Sequence, residues 1–232
     1  SDKISHIEID NKTRKKAIIT APLRLFTTVA LKQIALAISK GKFNKEYLGV
    51  LKLYICYGKA FYMKAKPYVE EGLKNGEVHI LSCWFAVEAW SAALLKKKFP
   101  AVKAFSLAHS FEIDPLKNRF VDLTFNISKH KYLDKIYFIS TKMREIYNEN
   151  TQNIYAQEYK HQMDVSYLGC IKLFDGVNPH HNEGKLKLVS CSYVRPEKRI
   201  DLIMDVMSRW TLCPVHWTHL GNGPLLEEMQ QR

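Results

Sequence analysis

The chain has 232 residues, of which 47% are hydrophobic and 25% are charged, the usual balance for a folded protein. This composition excludes a chain that is disordered for want of apolar residues. The formal net charge of +12 predicts an anionic partner, which is a nucleic acid, an acidic lipid surface or a phosphorylated substrate. The basic residues are scattered rather than gathered in one tail, so we do not expect nucleic acid.

The cysteines and the apolar runs indicate which cofactors and which cellular compartment to expect. The five cysteines are widely spaced and include no Cys-x-x-Cys pair, which predicts neither a zinc site nor a disulfide framework. No apolar run reaches the roughly 20 residues needed to cross a bilayer, and no secretory signal opens the chain. We therefore expect a cytoplasmic protein, and the start at Ser1 rather than methionine predicts a partial chain.

Residues 12–74 alternate basic and apolar positions and predict two or three helices. The best candidates are 21–38 and 47–69. We expect Pro67 to end or bend the second helix at Lys66, because proline lacks an N–H and restricts the residue before it.

Short apolar runs then alternate with helical patterns. Strands are predicted at 78–82, 102–108, 135–139 and 165–168. A helix is predicted over 85–98, where small alanines allow close packing on a sheet, and another follows Ser140 or Thr141 as N-cap and runs to Asn148. This alternation is typical of an α/β fold with an open parallel sheet and right-handed crossovers.

A second strand-helix-strand pattern follows a stretch without clear periodicity. Residues 170–184 contain turn-forming residues and predict a linker. Strands are predicted at 186–190 and 215–220, with a helix between them that extends to Trp210. The predicted organisation is therefore an N-terminal domain (1–168), a linker (169–184) and the start of a second domain (185–232).

The motif that points to a function lies in the second domain. Residues 190–203 read Ser-Cys-Ser-Tyr-Val-Arg-Pro-Glu-Lys-Arg-Ile-Asp-Leu-Ile, and residues 217–225 read Trp-Thr-His-Leu-Gly-Asn-Gly-Pro-Leu. Together they resemble family 4 of the retaining glycosyltransferases. Residues 107–112, 133–140 and 165–169 are similar to upstream segments of that family. The resemblance implies a GT-B-like fold, with a Rossmann-type acceptor-side domain, incomplete at its start, and the first βαβ portion of a second Rossmann-like domain.

The resemblance implies a donor-binding set in the second domain. Lys198 would contact the donor diphosphate, where a fixed cation stabilises the charge of the departing nucleoside diphosphate. Arg195 would be a second cation, since Ser192 stands where the family has another basic residue. Gly221 and Gly223 would let the backbone approach the donor. The alternatives are a solvated basic loop for the cations and simple turns for the glycines.

The resemblance also implies a site in the first domain. His109 follows a predicted buried strand, where open α/β sheets bind ligands, and by resemblance it contacts the transferred sugar. Glu112 stands in the family's Asp position and Ser110 in its Gly position. The alternative for His109 is a structural hydrogen bond to a backbone carbonyl. No metal is expected, because His161, His180 and His181 lack carboxylate or cysteine partners at ligand spacing.

Two classes of function remain. The resemblance implies transfer of a sugar from a nucleotide-sugar donor to a glycan or lipid-linked acceptor in bacterial surface polysaccharide synthesis, with retention. The family's first glycine-rich loop and its pair of glutamates eight apart are not found before Arg232, so we expect a truncated chain that is inactive alone. The alternative is a non-catalytic basic α/β module that binds a protein partner or an anionic membrane surface. Either class allows peripheral contact with the inner face of the membrane.

Overall fold

The computed structural model describes residues 5–8, 10, 27–169 and 184–231. The chain divides into two compact units, residues 1–170 and residues 171–232. Each unit has its own parallel sheet, with four strands in the first and two in the second. The predicted linker spans this division, and its residues 170–183 lie outside the described residues.

Two helices precede the first sheet. Helix α1 spans Thr28–Ser39 and helix α2 spans Lys45–Asn75. The side chain of Asn44 caps α2 by accepting a hydrogen bond of 2.8 Å from the Tyr47 N–H. Helix α2 extends beyond its predicted range at both ends, while the predicted residues 21–26 of the first helix lie outside the described residues.

We expected Pro67 to end or bend α2 at Lys66, and the helix does not end there. The helix continues through Pro67 to Asn75. A proline inside a helix costs about 3 kcal/mol because it removes a hydrogen bond and crowds the preceding turn. Side chains on both sides of it are buried, including Ile55 and Val69, so packing of the two halves offsets this cost.

The four strands of the first unit pair in the order β1-β2-β3-β4, all parallel. They are β1 His79–Ser82, β2 Lys103–Ala108, β3 Lys135–Phe138 and β4 Met163–Val165. Strand β4 ends at Val165 instead of reaching Leu168. The Ser166 N–H makes the last bond to β3, at the Phe138 carbonyl, and the chain beyond it has no further β3 residue to pair with.

Helices and turns connect these strands, and their bounds are α3 Val87–Lys98, α4 Ser110–Ile113, a 3₁₀ turn Val121–Leu123, α5 Asn126–Tyr132, α6 Thr141–Asn150, α7 Ile154–Glu158 and a 3₁₀ turn Lys160–Gln162. Ser140 is the N-cap of α6, as one of the two predicted alternatives requires, and its Oγ accepts from the Met143 N–H. The structure is therefore α/β with a four-stranded parallel sheet, compatible with a Rossmann-like fold.

The core of this unit lies on one face of the sheet. Along β2, Ala104, Ser106 and Ala108 are buried and the residues between them are half-buried. The alanines of α3 are also buried and pack against these strand residues, as the sequence predicts. A second cluster joins α2 to α3, where a Cβ on Gly58 would overlap the Trp90 ring. The Ser91 hydroxyl donates to the Gly58 carbonyl at 2.9 Å in the same contact.

The second unit contains one strand-helix-strand pattern. Strand β5 (Leu186–Cys191) pairs in parallel with β6 (Val215–Leu220). A 3₁₀ turn (Pro196–Lys198) and helix α8 (Ile200–Ser208) lie between them in sequence, and α9 (Leu226–Gln231) follows β6. Helix α8 ends before the predicted Trp210. Across the described residues of both units, no helix is both long and apolar enough to span a membrane.

Candidate functional site

The first candidate site lies where β1 and β2 end. Trp84 comes two residues after β1, and His109 directly follows β2. Because the two strands are parallel neighbours, their carboxyl ends lie at the same edge of the sheet. The rings of Trp84 and His109 are in contact there, with centroids 4.5 Å apart and planes inclined by 38°. The predicted position of His109 at the carboxyl edge of the sheet is therefore confirmed.

Glu112 lies beside His109 because one turn of helix separates them. Helix α4 begins at Ser110, and the His109 N–H donates to Glu112 Oε2 at 2.9 Å. The other carboxylate oxygen, Oε1, lies 3.9 Å from His109 Nδ1, too far for a hydrogen bond. Both atoms are enclosed, and neither has a hydrogen-bond partner among the described residues. Nε2 is therefore the ring nitrogen that remains for contact with a ligand.

Burial sets the charge of this cluster. Glu112 is 5% exposed, and burial raises the pKa of its carboxyl to about 7. Burial also lowers the pKa of Lys129, which is fully enclosed, to about 7. The nearby Lys129 charge acts in the opposite sense on Glu112, but desolvation is the larger effect. Burial therefore shifts the pKa of both groups toward the neutral form.

Lys129 is held by contacts that do not use a carboxylate directly. Its ammonium donates to the Phe85 carbonyl at 2.8 Å and lies 4.1 Å from the centre of the Phe85 ring. Glu88 and Glu112 supply the negative charge that favours its protonated form. Burial of His109 lowers the pKa of its imidazole below 6.5, so the ring is mainly neutral at pH 7.

Another buried histidine, His130, has a structural role. Its Nε2 lies 2.8 Å from the Tyr147 hydroxyl, and its ring stacks on Tyr155 at 4.2 Å. Burial and the adjacent Lys129 lower its pKa to about 3. His130 is therefore a neutral member of an aromatic cluster rather than a titrating group.

The second candidate site lies at the carboxyl ends of β5 and β6 in the other unit. The loops after these strands are joined through their backbones. The Ser192 N–H donates to the Leu220 carbonyl at 3.1 Å, and the Val194 N–H donates to the Asn222 carbonyl at 2.8 Å. A Cβ on Gly221 would overlap the Ser192 carbonyl. The loops after β5 and β6 can therefore approach this closely only because residue 221 is a glycine.

Gly223 has the same role one step along the loop, since a Cβ there would overlap the Val194 backbone. Below the loops, the Ser190 hydroxyl lies 2.8 Å from His219 Nδ1 and accepts from the Trp217 indole N–H at 2.9 Å. His219 Nε2 lies 3.1 Å from the Ser192 carbonyl. These bonds fix the end of the β5 strand from which the basic loop starts.

The two predicted cations lie on the loop that follows β5. Arg195 precedes the turn Pro196–Lys198, and the Lys198 N–H donates to the Arg195 carbonyl at 3.0 Å. The Arg195 guanidinium lies 4.7 Å from the centre of the Tyr193 ring. Lys198 is exposed and makes no ion pair with any described residue, whereas Arg199 pairs with Asp201 at 3.0 Å. Lys198 is therefore available to an anion.

The structure thus brings His109 and Glu112 together in the first unit, and Ser192, Arg195, Lys198, Gly221 and Gly223 together on the joined loops of the second. Sequence reasoning missed Trp84, Glu88 and Lys129. Trp84 had one usable signal, its place directly after a predicted strand. The two charged residues lie on helices and carry no sequence signal that separates them from surface residues.

No metal site is found among residues 5–8, 10, 27–169 and 184–231, where no group of three or more His, Cys, Asp or Glu side chains converges. His180 and His181 lie outside the described residues. Comparison with protein-family models gave no match, and comparison with curated proteins gave none either. The functional argument therefore rests on the residues of the two candidate sites.

Proposed function

We propose that this chain functions in a retaining glycosyltransferase of the GT-B class, which transfers a sugar from a nucleotide-sugar donor to a glycan or lipid-linked acceptor. In this proposal the two units are its two Rossmann-like domains. The observation that carries the proposal is the exposed Lys198, free of ion pairs with any described residue, on a short turn at the carboxyl end of a parallel strand.

The second unit would bind the donor diphosphate. Parallel α/β sheets bind ligands at the carboxyl ends of their strands, where the joined β5 and β6 loops lie. Lys198 supplies a compact positive charge, and Arg195, which precedes the same turn, supplies a planar donor. Fixed cations of this kind stabilise the negative charge that develops on a departing nucleoside diphosphate. Ser192 adds a hydroxyl on the same loop, directly after β5.

The first unit would bind the transferred sugar through His109. Nδ1 is enclosed, so Nε2 is the atom that would contact a sugar hydroxyl. Glu112 positions the imidazole by holding the backbone N–H of His109. The half-exposed Trp84 ring packs on the imidazole and limits its rotation. We propose that these three residues present a neutral, fixed imidazole to the sugar.

Direct titration tests the donor site. UDP, GDP and ADP are each titrated into the chain by isothermal calorimetry, with Lys198→Ala and Lys185→Ala as variants. Lys185 is also exposed but precedes β5, away from the loops that follow the strands. A hydrogen bond to a charged group contributes about 1.5–3 kcal/mol. We therefore expect Lys198→Ala to weaken the Kd about 10- to 100-fold, and Lys185→Ala to leave it unchanged.

Two results would contradict the donor-site assignment. The first is that none of the three nucleotides binds. The second is that Lys198→Ala and Lys185→Ala have equal effects, which would mean that binding depends on overall charge alone.

The second candidate function is the non-catalytic basic module that binds a protein partner or an anionic membrane surface. One observation favours it: five lysines line two adjoining grooves on the first unit, at the edge of the sheet where its strands begin. This edge is opposite the one that carries His109. Binding there is compatible with either function.

A further inference from the structure

Two grooves meet on the first unit near the amino ends of its strands. The larger, about 410 Å³, lies between the ends of α3 and α5. The smaller, about 290 Å³, lies between α2 and α3. Lys97 lines both, so the two form one continuous surface, here called the lysine surface.

The charge of the lysine surface is almost entirely positive. Its lysines are Lys59, Lys96, Lys97, Lys98 and Lys131, and its one acidic residue is Asp134. Asp134 pairs with Lys96 at 3.1 Å. The other four lysines make no ion pair within the described part of the chain. Helix dipoles account for lysines in the last turns of α3 and α5, but not for Lys59 in the middle of α2.

Apolar groups lie beneath these charges. The Lys59 ammonium lies 5.0 Å from the centre of the Tyr62 ring, and Lys97 and Lys131 each lie 5.7 Å from the centre of the Tyr132 ring. Leu94 lines the smaller groove. Met63, one helical turn from Lys59, is 55% exposed. The surface therefore combines ammonium groups with an apolar floor.

We propose that the lysine surface binds the anionic headgroups of a lipid bilayer. Anionic headgroups attract the four lysines, while Met63 and the apolar floor fit the boundary between headgroups and acyl chains. A nucleic acid fits less well, because the chain's own ammonium groups lie over the Tyr62 and Tyr132 rings and compete with stacked bases. This inference rests on the second candidate function above and does not depend on the glycosyl transfer.

Vesicle sedimentation tests the proposal. The chain is mixed with vesicles of phosphatidylcholine alone, or with vesicles containing 30% phosphatidylglycerol. Each lysine near such a surface strengthens binding roughly fivefold. Reversing two of them in Lys97→Glu/Lys131→Glu changes four charge units, so the partition coefficient should fall by at least about 100-fold. Binding of the wild type should also weaken as salt is raised.

The matched control is Lys32→Glu/Lys142→Glu. Both residues are exposed, on α1 and α6, and do not line the grooves, and the change in net charge is the same. We expect this control to lower the partition coefficient by less than about tenfold. Thermal unfolding of both variants verifies that they fold, and Met63→Gln, which keeps every charge, should weaken binding severalfold by removing the apolar contact.

Four results would overturn the proposal. The first is no binding of the wild type to the anionic vesicles. The second is an equal loss in the groove and control variants, which would assign binding to net charge alone. The third is binding of a short single-stranded RNA, lost in the groove variant, without binding to vesicles. Competition by millimolar glycerol phosphate that abolishes vesicle binding would likewise assign the lysines to a small soluble anion. Nucleotide binding through Lys198 is measured without vesicles, so failure of either proposal leaves the other testable.

Discussion

The buried carboxyl of Glu112 leads to a prediction about stability and pH. Its pKa is raised from 4.5 to about 7 in the folded protein, so the native state binds a proton more tightly than the unfolded state. The stabilisation from that proton is fully present below pH 4.5 and is lost as pH rises through 7. Between pH 5 and pH 7 this loss amounts to about 2 kcal/mol for one group with these two pKa values.

The variant Glu112→Gln removes the titration and keeps the shape, because the amide oxygen still accepts the His109 N–H bond. Urea unfolding at pH 5, 6 and 7 gives the free energy of unfolding of both proteins. Relative to wild type, Glu112→Gln should gain about 2 kcal/mol as pH rises from 5 to 7. Lys129 contributes little in this window, because its effect on stability develops mainly between its folded pKa of about 7 and its ordinary pKa of 10.5.

Glu145→Gln is the control, since it removes an exposed carboxyl from α6. Its free energy of unfolding should follow wild type at all three pH values. The reasoning is refuted if Glu112→Gln also runs parallel to wild type from pH 5 to pH 7. That result would mean that Glu112 is solvated, and that it does not form an enclosed pair with His109.

Two further predictions concern packing and ionisation in the first unit. Gly58→Ala should lower the free energy of unfolding by about 1–3 kcal/mol, because its Cβ would overlap the Trp90 ring. Gly49→Ala, in the same helix but facing open space, should raise it by up to about 1 kcal/mol, and equal effects in thermal or urea unfolding would contradict the contact. In an NMR titration, His109 should gain its proton below pH 6.5, whereas His130 should remain neutral throughout pH 5–8. The His109 resonance is assigned as the one that is lost in His109→Gln. A His109 midpoint above 6.5 would mean that it is charged in the site.

Short-range patterns predicted most of the first sheet. Strands β1 to β3 are apolar runs, and strands that follow one another in the chain are also neighbours in the sheet. The sequence of each run is therefore sufficient to predict its strand. The end of β4 was missed because it depends on where β3 stops, a tertiary property. Pro67 was misjudged for a related reason: the local cost of proline is real, but packing of both halves of α2 outweighs it.

In the candidate sites too, local features could be predicted from the sequence and tertiary contacts could not. His109 and Glu112 are one helical turn apart, so sequence placed them together. Lys129 was missed because a lysine in a short helix is normally exposed, and nothing local indicates burial. Its ammonium reaches the Phe85 carbonyl, 44 residues earlier in the chain. Such a contact is defined only when α5 packs beside the segment that leaves β1.

Burial of Lys129 and Glu112 bears on function because it is costly. Each pKa moves toward the neutral form, which means that the fold does not fully compensate the lost hydration. An apolar pair of similar size would fill the same space with less penalty. Charged groups that are retained at a cost, at the carboxyl edge of a parallel sheet and beside an imidazole with one accessible nitrogen, are typical of a ligand site. Lys129→Met separates the two explanations: if the cluster is structural, the folded variant binds a sugar ligand with the pH dependence of wild type, and if the cluster serves the site, that pH dependence is lost.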